Sequence, residues 1–332
     1  MSGYWSNKKV LVTGAGGFIG SHLTERLARA GARVRGFVHY NSLGRWGWLD
    51  GTEPDLMRNI EVFTGDVRDQ NRVFEAVEGM EVVFHLASLI AIPYSYHAPD
   101  SYVQTNVGGA LNILNACRRS GVERIVHTST SEVYGTARYV PIDEDHPLQA
   151  QSPYSASKIG ADMLAESFHR SFDLPVVIVR PFNTFGPRQS ERAVIPTIIS
   201  QIVSGTDELS LGSLEPTRDF NYVDDTVDGF LKLAVCNRAV GQVVNIGSGR
   251  EVSIGELAEK IMDIAGRRIV IREECERKRP EKSEVDRLMC DNTRVRRWTG
   301  WEPTHTLEDG LIKTFEWIFR NQSGFRPGMY AV

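Results

Sequence analysis

The stretch Gly14-Ala15-Gly16-Gly17-Phe18-Ile19-Gly20 decides how the chain is read. It follows a run at 9–13 with the length and composition of a buried strand, and it opens a segment of helical periodicity over about 19–30. Gly14, Gly17 and Gly20 fall in the frame such a turn needs. The first permits a tight turn, the second lets backbone approach a pyrophosphate, and the third lets the helix pack closely on the strand. Amides at the helix N-terminus then face the phosphates. The order of strand, glycine turn and helix predicts a dinucleotide site, with Phe18 and Ile19 beside the glycines against the cofactor.

Outward from this turn the chain alternates. Strands are expected at 33–38, 60–65, 80–86, 124–128 and 176–180, with helices at 71–77, 102–120 and 154–172 among them. Short turns between alternating strands and helices predict an α/β fold, a Rossmann-type parallel sheet flanked by helices. Beyond Asn183 the alternation loosens into helices at 195–204, 226–235, 254–265 and 306–319 and strands at 209–211, 243–246 and 268–272. Residues 1–183 are therefore expected to form mainly the dinucleotide-binding domain. Residues 184–332 are expected to form mainly a small C-terminal α/β substrate lobe, with some segments returning to the main sheet.

Composition narrows the function classes. The 332 residues are 41% hydrophobic, and 38 basic against 42 acidic side chains give a formal charge of -4, so neither nucleic acid nor a membrane surface is an expected partner. The longest apolar runs, such as 176–179, are too short to span a bilayer. Cys117, Cys236, Cys275 and Cys290 form no CxxC pair, and the N-terminus lacks a long apolar run behind a positive segment, so the expectation is a cytoplasmic protein. The surroundings of His85, His127 and His146 lack metal-ligand spacing, and no metal is expected.

Choice between NAD and NADP turns on the end of the second strand. An acidic residue there binds the ribose hydroxyls of NAD. This chain reads Val38-His39-Tyr40-Asn41, with Arg35 and Arg45 nearby, and offers no acid to repel a 2′-phosphate. The lean is to NADP, with His39 or a neighbouring arginine folded back on the phosphate. Alternatively, His39 stacks on adenine or faces solvent. Asp66 and Val67, at the end of the third strand, are placed to hold the adenine edge. Leu86 and Ala87, at the end of the fourth, line the cofactor cleft.

Four further segments complete a pattern: Thr130-Ser131-Glu132-Val133-Tyr134-Gly135, Tyr154-Ser155-Ala156-Ser157-Lys158, Arg180-Pro181-Phe182-Asn183 and Arg218-Asp219-Phe220. With the glycine turn, they make the chain resemble, from Gly14 to about Phe319, the extended short-chain dehydrogenases of the NAD-dependent epimerase/dehydratase family. Members of that family modify nucleotide-activated sugars. The spacing of Tyr154 and Lys158 puts both on one helix face. An ammonium near the phenol favours phenolate, so Tyr154 is expected to accept a proton well below its ordinary range. That suits oxidation of a sugar hydroxyl, with Lys158 also hydrogen-bonding the nicotinamide ribose and Thr130 supporting the same oxygen.

The resemblance makes Glu132 the dividing residue. Family epimerases carry a non-acidic residue here, whereas 4,6-dehydratases carry a glutamate that removes the C5 proton. Many dehydratases place an aspartate just before it, where this chain has Ser131, as GDP-mannose dehydratases do. Glu132 then serves as base and acid, or a water does the second job. UDP-glucuronate decarboxylases share this turn, and in that reading Arg180 and Arg188 receive the substrate carboxylate. A third reading makes Glu132 a loop brace in a 4-epimerase, and a fourth makes the chain a non-catalytic dinucleotide binder. Residues 213–220 and 279–285, with Trp46-Gly47-Trp48-Leu49, look most like the 4,6-dehydratases acting on GDP-N-acetylglucosamine in legionaminic acid biosynthesis. The resemblance further implies that Asn183, Arg188, Arg218 and Arg279 meet the substrate, the arginines as guanidinium donors to a diphosphate. It also implies a homodimer paired through a four-helix bundle of the helices at 102–120 and 154–172.

Overall fold

The computed structural model describes residues 2–326. Seven strands, all parallel, form the main sheet: β1 (Lys9–Thr13), β2 (Arg33–His39), β3 (Ile60–Gly65), β4 (Val82–His85), β5 (Arg124–Thr128), β6 (Val176–Pro181) and β7 (Val243–Ile246). Their order is β7-β6-β5-β4-β1-β2-β3. The chain reverses direction across the sheet between β1 and β4, which opens a crevice at the carboxyl ends of those strands.

Strand periodicity divides the core in two. Val10 and Val12 of β1 enter one apolar cluster, while Leu11 between them enters the other. The first cluster is completed by α1 (Phe18–Arg29), the second by α2 (Gly109–Ser120) and α3 (Pro153–Phe172). The expected helix at 102–120 is interrupted. An α-turn at Pro99–Tyr102 passes through a π-helical segment, Val103–Gly108, before α2 begins. The extra residue per turn rotates Asn106 inward, where it is buried.

The C-terminal region is built from small pieces. Asn183–Phe185 pairs with Phe220–Tyr222, Glu208–Leu211 with Val270–Glu273, and Thr217–Arg218 with Val252–Ser253. Between them, α4 (Val223–Ala234) packs back against α1, β5 and β6. Backbone hydrogen bonds from Thr217 to Asp286 (2.9 Å) and from Leu288 to Thr217 (3.2 Å) pin the 280s loop alongside Arg218. No described helix is long and apolar enough to cross a membrane.

Candidate active site

The expected cofactor residues line the carboxyl edge of the sheet. Gly14 has φ +71°, and a Cβ there would stand 3.0 Å from the Ala87 amide. A Cβ on Gly20 would fall 2.1 Å from the Gly14 carbonyl, so the helix needs glycine to sit this close to the turn. Above Gly17 a Cβ would meet only the Gly14 carbonyl, at 3.2 Å, leaving the backbone open to a ligand. The cradle fits a dinucleotide. Gly16, outside the expected frame, is also required: a Cβ would stand 2.3 Å from the Trp46 carbonyl, and Trp48 donates its amide to the Gly16 carbonyl at 2.9 Å. The tryptophan-bearing loop thus closes over the glycine turn.

Val67 is buried, and Asp66 takes a forked hydrogen bond from Arg68, which holds its carboxyl below the ordinary range. His39 is exposed, with Nδ1 4.0 Å from Asp66 Oδ2. Arg35 does not fold back as expected. It pairs with Glu61 at 2.9 Å and donates to the carbonyls of Glu75, Ala76 and Glu78, capping the end of the helix Gln70–Val77. Arg45 is exposed and 3.8 Å from Asp50.

Tyr154 and Lys158 are fixed by how α3 starts. Ser152 caps the helix reciprocally with Ser155, and Pro153 occupies its first turn, so Tyr154 enters the site one residue later. Both Tyr154 and Lys158 are buried, and that changes the expected electrostatics. Burial pushes the Tyr154 phenol up, opposed by a hydrogen bond from Thr130. Thr130 Oγ1 accepts the Glu132 amide at 3.2 Å. Lys158 Nζ donates to the Thr128 carbonyl at 2.6 Å, and burial lowers its pKa to about 8. The lysine and tyrosine share a face, yet depth rather than the ammonium dominates the phenol.

Behind this pair runs a buried polar layer that motif reading missed. Register aligns Thr13, His85 and His127 across β1, β4 and β5, and Arg180 with Asn245 across β6 and β7. Thr13 Oγ1 accepts the amides of Leu86 and Ala87 at 3.1 Å each and so donates to His85 Nδ1 at 2.8 Å, leaving the ring proton on Nε2. Burial pushes both histidines down, keeping them neutral. One turn beyond Lys158, Asp162 accepts from Ser129 (2.7 Å) and from Arg180 (3.1 and 3.2 Å) and lies 3.4 Å from His127. Arg180 also donates to Tyr134, which donates to Asn245. Arg180 is therefore committed to the core and removed from the role of receiving a substrate carboxylate. Asn106 joins from the π-helical segment, donating to Leu89 and Ser157 and accepting from Leu89 and Ser88. Only its helix-breaking geometry marks it.

Ser131 and Glu132 sit in the tight turn Ser131–Tyr134, closed by Gly135 at φ +62°. Arg279 brings Nη1 to 3.6 Å from Glu132 and 3.8 Å from Glu284, and Arg218 stands 3.3 Å from the same Glu284 oxygen. Burial pulls Arg218 down, while Glu132 and Glu284 oppose this. Asn183 Oδ1 is buried without a hydrogen-bond partner among the described residues. Arg188 does not join this group: it pairs with Glu25 at 2.9 Å and with Ser21 at 3.2 Å on α1. Among the described residues no three His, Cys, Asp or Glu side chains cluster as metal ligands. A separate cleft of about 700 Å³, lined by Tyr222, Glu256, Lys260 and His305, contains none of the residues around Tyr154.

Residues 11–314 match the family model described as GDP-mannose 4,6 dehydratase. A UDP-glucose 4-epimerase of Mycolicibacterium smegmatis is 35% identical, covering 95% of this chain and 99% of its own. A dTDP-glucose 4,6-dehydratase of Streptomyces niveus is 31% identical, covering 96% and 95%. The structure of a dTDP-glucose 4,6-dehydratase from Streptomyces venezuelae with NAD bound superposes at TM-score 0.86 and 29% identity, over 96% of this chain and 98% of that one. Both reactions occur among these relatives, so similarity leaves the choice between them to the site.

Proposed function

The chain belongs to the GDP-mannose 4,6-dehydratase family of nucleotide-sugar enzymes, and from that premise we propose that it is an NAD(P)-dependent nucleotide-sugar 4,6-dehydratase. The observation that carries this reading is Glu132, a carboxylate in the turn capped by Thr130 and only 11% exposed. Bound nicotinamide supplies the hydride acceptor at C4 and the hydride donor at C6. Tyr154 takes the C4 hydroxyl proton, with Thr130 donating to its oxygen and Lys158 orienting the ribose. The resulting ketone acidifies C5, and Glu132 removes that proton. With Ser131 in place of a second acid, the protonated Glu132 gives its proton to the departing C6 hydroxyl, which leaves as water. The proton held by Tyr154 then passes by way of solvent to Glu132 and back to C5, which leaves both side chains as they began.

Asn183, Arg218 and Arg279 hold the substrate diphosphate, and the resemblance at 213–220 and 279–285 supports a nucleotide-linked N-acetylglucosamine. Arg188, tied to α1, braces the wall beside the glycine turn. The cofactor is NAD or NADP. The solved Streptomyces relative holds NAD, while the missing acid after β2 favours NADP here, and mass spectrometry of co-purified cofactor decides. Exposed Leu111, Met163 and Phe172 on α2 and α3 support a homodimer through these helices. Sedimentation at the monomer mass would defeat it.

The test of the main reading is incubation with UDP-, GDP- and dTDP-linked hexoses. A product lighter by one water is expected; inversion at C4 without mass loss would replace this reading with 4-epimerisation. That second reading has one observation behind it, the ion pair between Glu132 and Arg279, which suits a bracing carboxylate. Undiminished turnover in Glu132→Gln would favour it.

A further inference from the structure

Two arginines and two glutamates alternate over the crevice, and their spacing is unusual. Arg218 and Arg279 converge on a single oxygen, Glu284 Oε1, at 3.3 and 3.8 Å, and Arg279 reaches the Glu132 carboxylate at 3.6 Å. An anionic oxygen held between two guanidinium groups is the arrangement a diphosphate would adopt there. The ion pairs of Arg279 are longer than a charge-assisted hydrogen bond, whereas the anchors beneath are short. The Val285 amide donates to Glu284 at 3.1 Å, Gln151 donates to the Glu284 carbonyl at 2.9 Å, and Arg218 donates to the Thr217 carbonyl at 2.9 Å. The backbone supports are fixed while the guanidinium of Arg279 is shared between carboxylates.

We propose that Glu284 and Glu132 are internal surrogates for the substrate diphosphate, and that an arriving diphosphate takes Arg279 from Glu132 and so releases the base. The exchange rests on the proposed roles of Arg279 and Glu132. It assigns a function to Glu284, which holds the arginine pair in register until a phosphate oxygen displaces it. The arginine paired to Glu132 occupies a carboxylate oxygen, and moving that arginine onto a phosphate frees the oxygen only when a substrate is in place. The proton is then taken from C5 by a carboxylate that was paired in the free enzyme.

The experiment measures binding without turnover. The cofactor-loaded enzyme is titrated calorimetrically with UDP, GDP and dTDP, and the tightest of these is carried through Glu132→Gln, Glu284→Gln, Arg279→Gln and the double variant Glu132→Gln/Arg279→Gln. Removing an internal competitor should tighten the diphosphate by roughly five-fold in Glu132→Gln and in Glu284→Gln, the ordinary size of a coupling between contacting charges. Arg279→Gln should weaken it, and the gain from Glu132→Gln should vanish in the double variant. Equal or weaker binding by Glu132→Gln overturns the exchange. So does a gain that survives in the double variant, which would show simple charge repulsion. The dehydratase reading fails separately, through the mass of the product, and a tightening in Glu132→Gln would stand even if that product proved to be an epimer.

Discussion

The two sides of the crevice are held in opposite ways. Under Tyr154 and Lys158, Asp162 is fully buried and takes hydrogen bonds of 2.7 to 3.2 Å from Ser129 and Arg180. Over the crevice, the pairs among Glu132, Arg279, Glu284 and Arg218 span 3.3 to 3.8 Å and keep some solvent contact. The side bearing Tyr154 and Lys158 is built into the sheet and cannot rearrange without disturbing the core. The side bearing Arg218 and Arg279 is built from side chains reaching across a loop. Rigid placement suits proton and hydride transfer at one carbon, and exchangeable pairs suit a ligand that must enter and leave.

The strongest way to break this contrast is Tyr154→Phe. It preserves the ring in its pocket but removes the proton acceptor, so turnover should fall about 10³- to 10⁴-fold with the bound cofactor remaining oxidised by absorbance. A loss below ten-fold would take the phenol out of the first step.

Asp162→Asn should then cost about 3 to 5 kcal/mol of unfolding free energy, because Arg180 is left buried without its counter-charge. Urea denaturation measures it, and a cost under about 1 kcal/mol would mean the layer beneath the site is not rigid.

A smaller effect comes from pH. Burial holds Lys158 near 8 in the folded chain, against an ordinary value of 10.5, so between those values the unfolded chain binds more protons. Stability should therefore rise with pH across that window, by about 2 kcal/mol between pH 8 and 10 relative to Lys158→Met, which has no proton to lose. Parallel curves for the two proteins would refute a depressed lysine.

Smallest of all, Glu284→Gln should change unfolding free energy by less than about 1 kcal/mol, because the glutamine keeps an oxygen for Arg218, which also donates to the Thr217 carbonyl. A cost matching that of Asp162→Asn would erase the distinction between the two sides.

Where chemistry is written in local spacing, it was legible. The glycines at 14, 17 and 20, the pair at 154 and 158 and the turn at 130–132 each occupy one short segment, and each lies at the crevice. Contacts across the sheet were not legible, because no period relates Asp162 to Arg180 or Thr13 to His85; strand order brings them together. The same reason hid the real partner of Arg35, a helix end forty residues on. Helical spacing put Tyr154 and Lys158 on one face but carried no information about depth, and depth reverses the expected direction of the tyrosine's shift. Gly16 was invisible until the loop bearing Trp46 was seen to lie on it.

The place of β7 has a consequence for biosynthesis. Every residue of β6 is buried, and its outer edge is covered only when Val243–Ile246 arrives, after the intervening pieces of the C-terminal region have been made. A nascent chain ending at Asn183 would carry a full dinucleotide motif and yet expose an unpaired apolar strand to any neighbouring edge. Such a fragment should aggregate rather than fold, and the ribosome must deliver some sixty further residues before the sheet is safe.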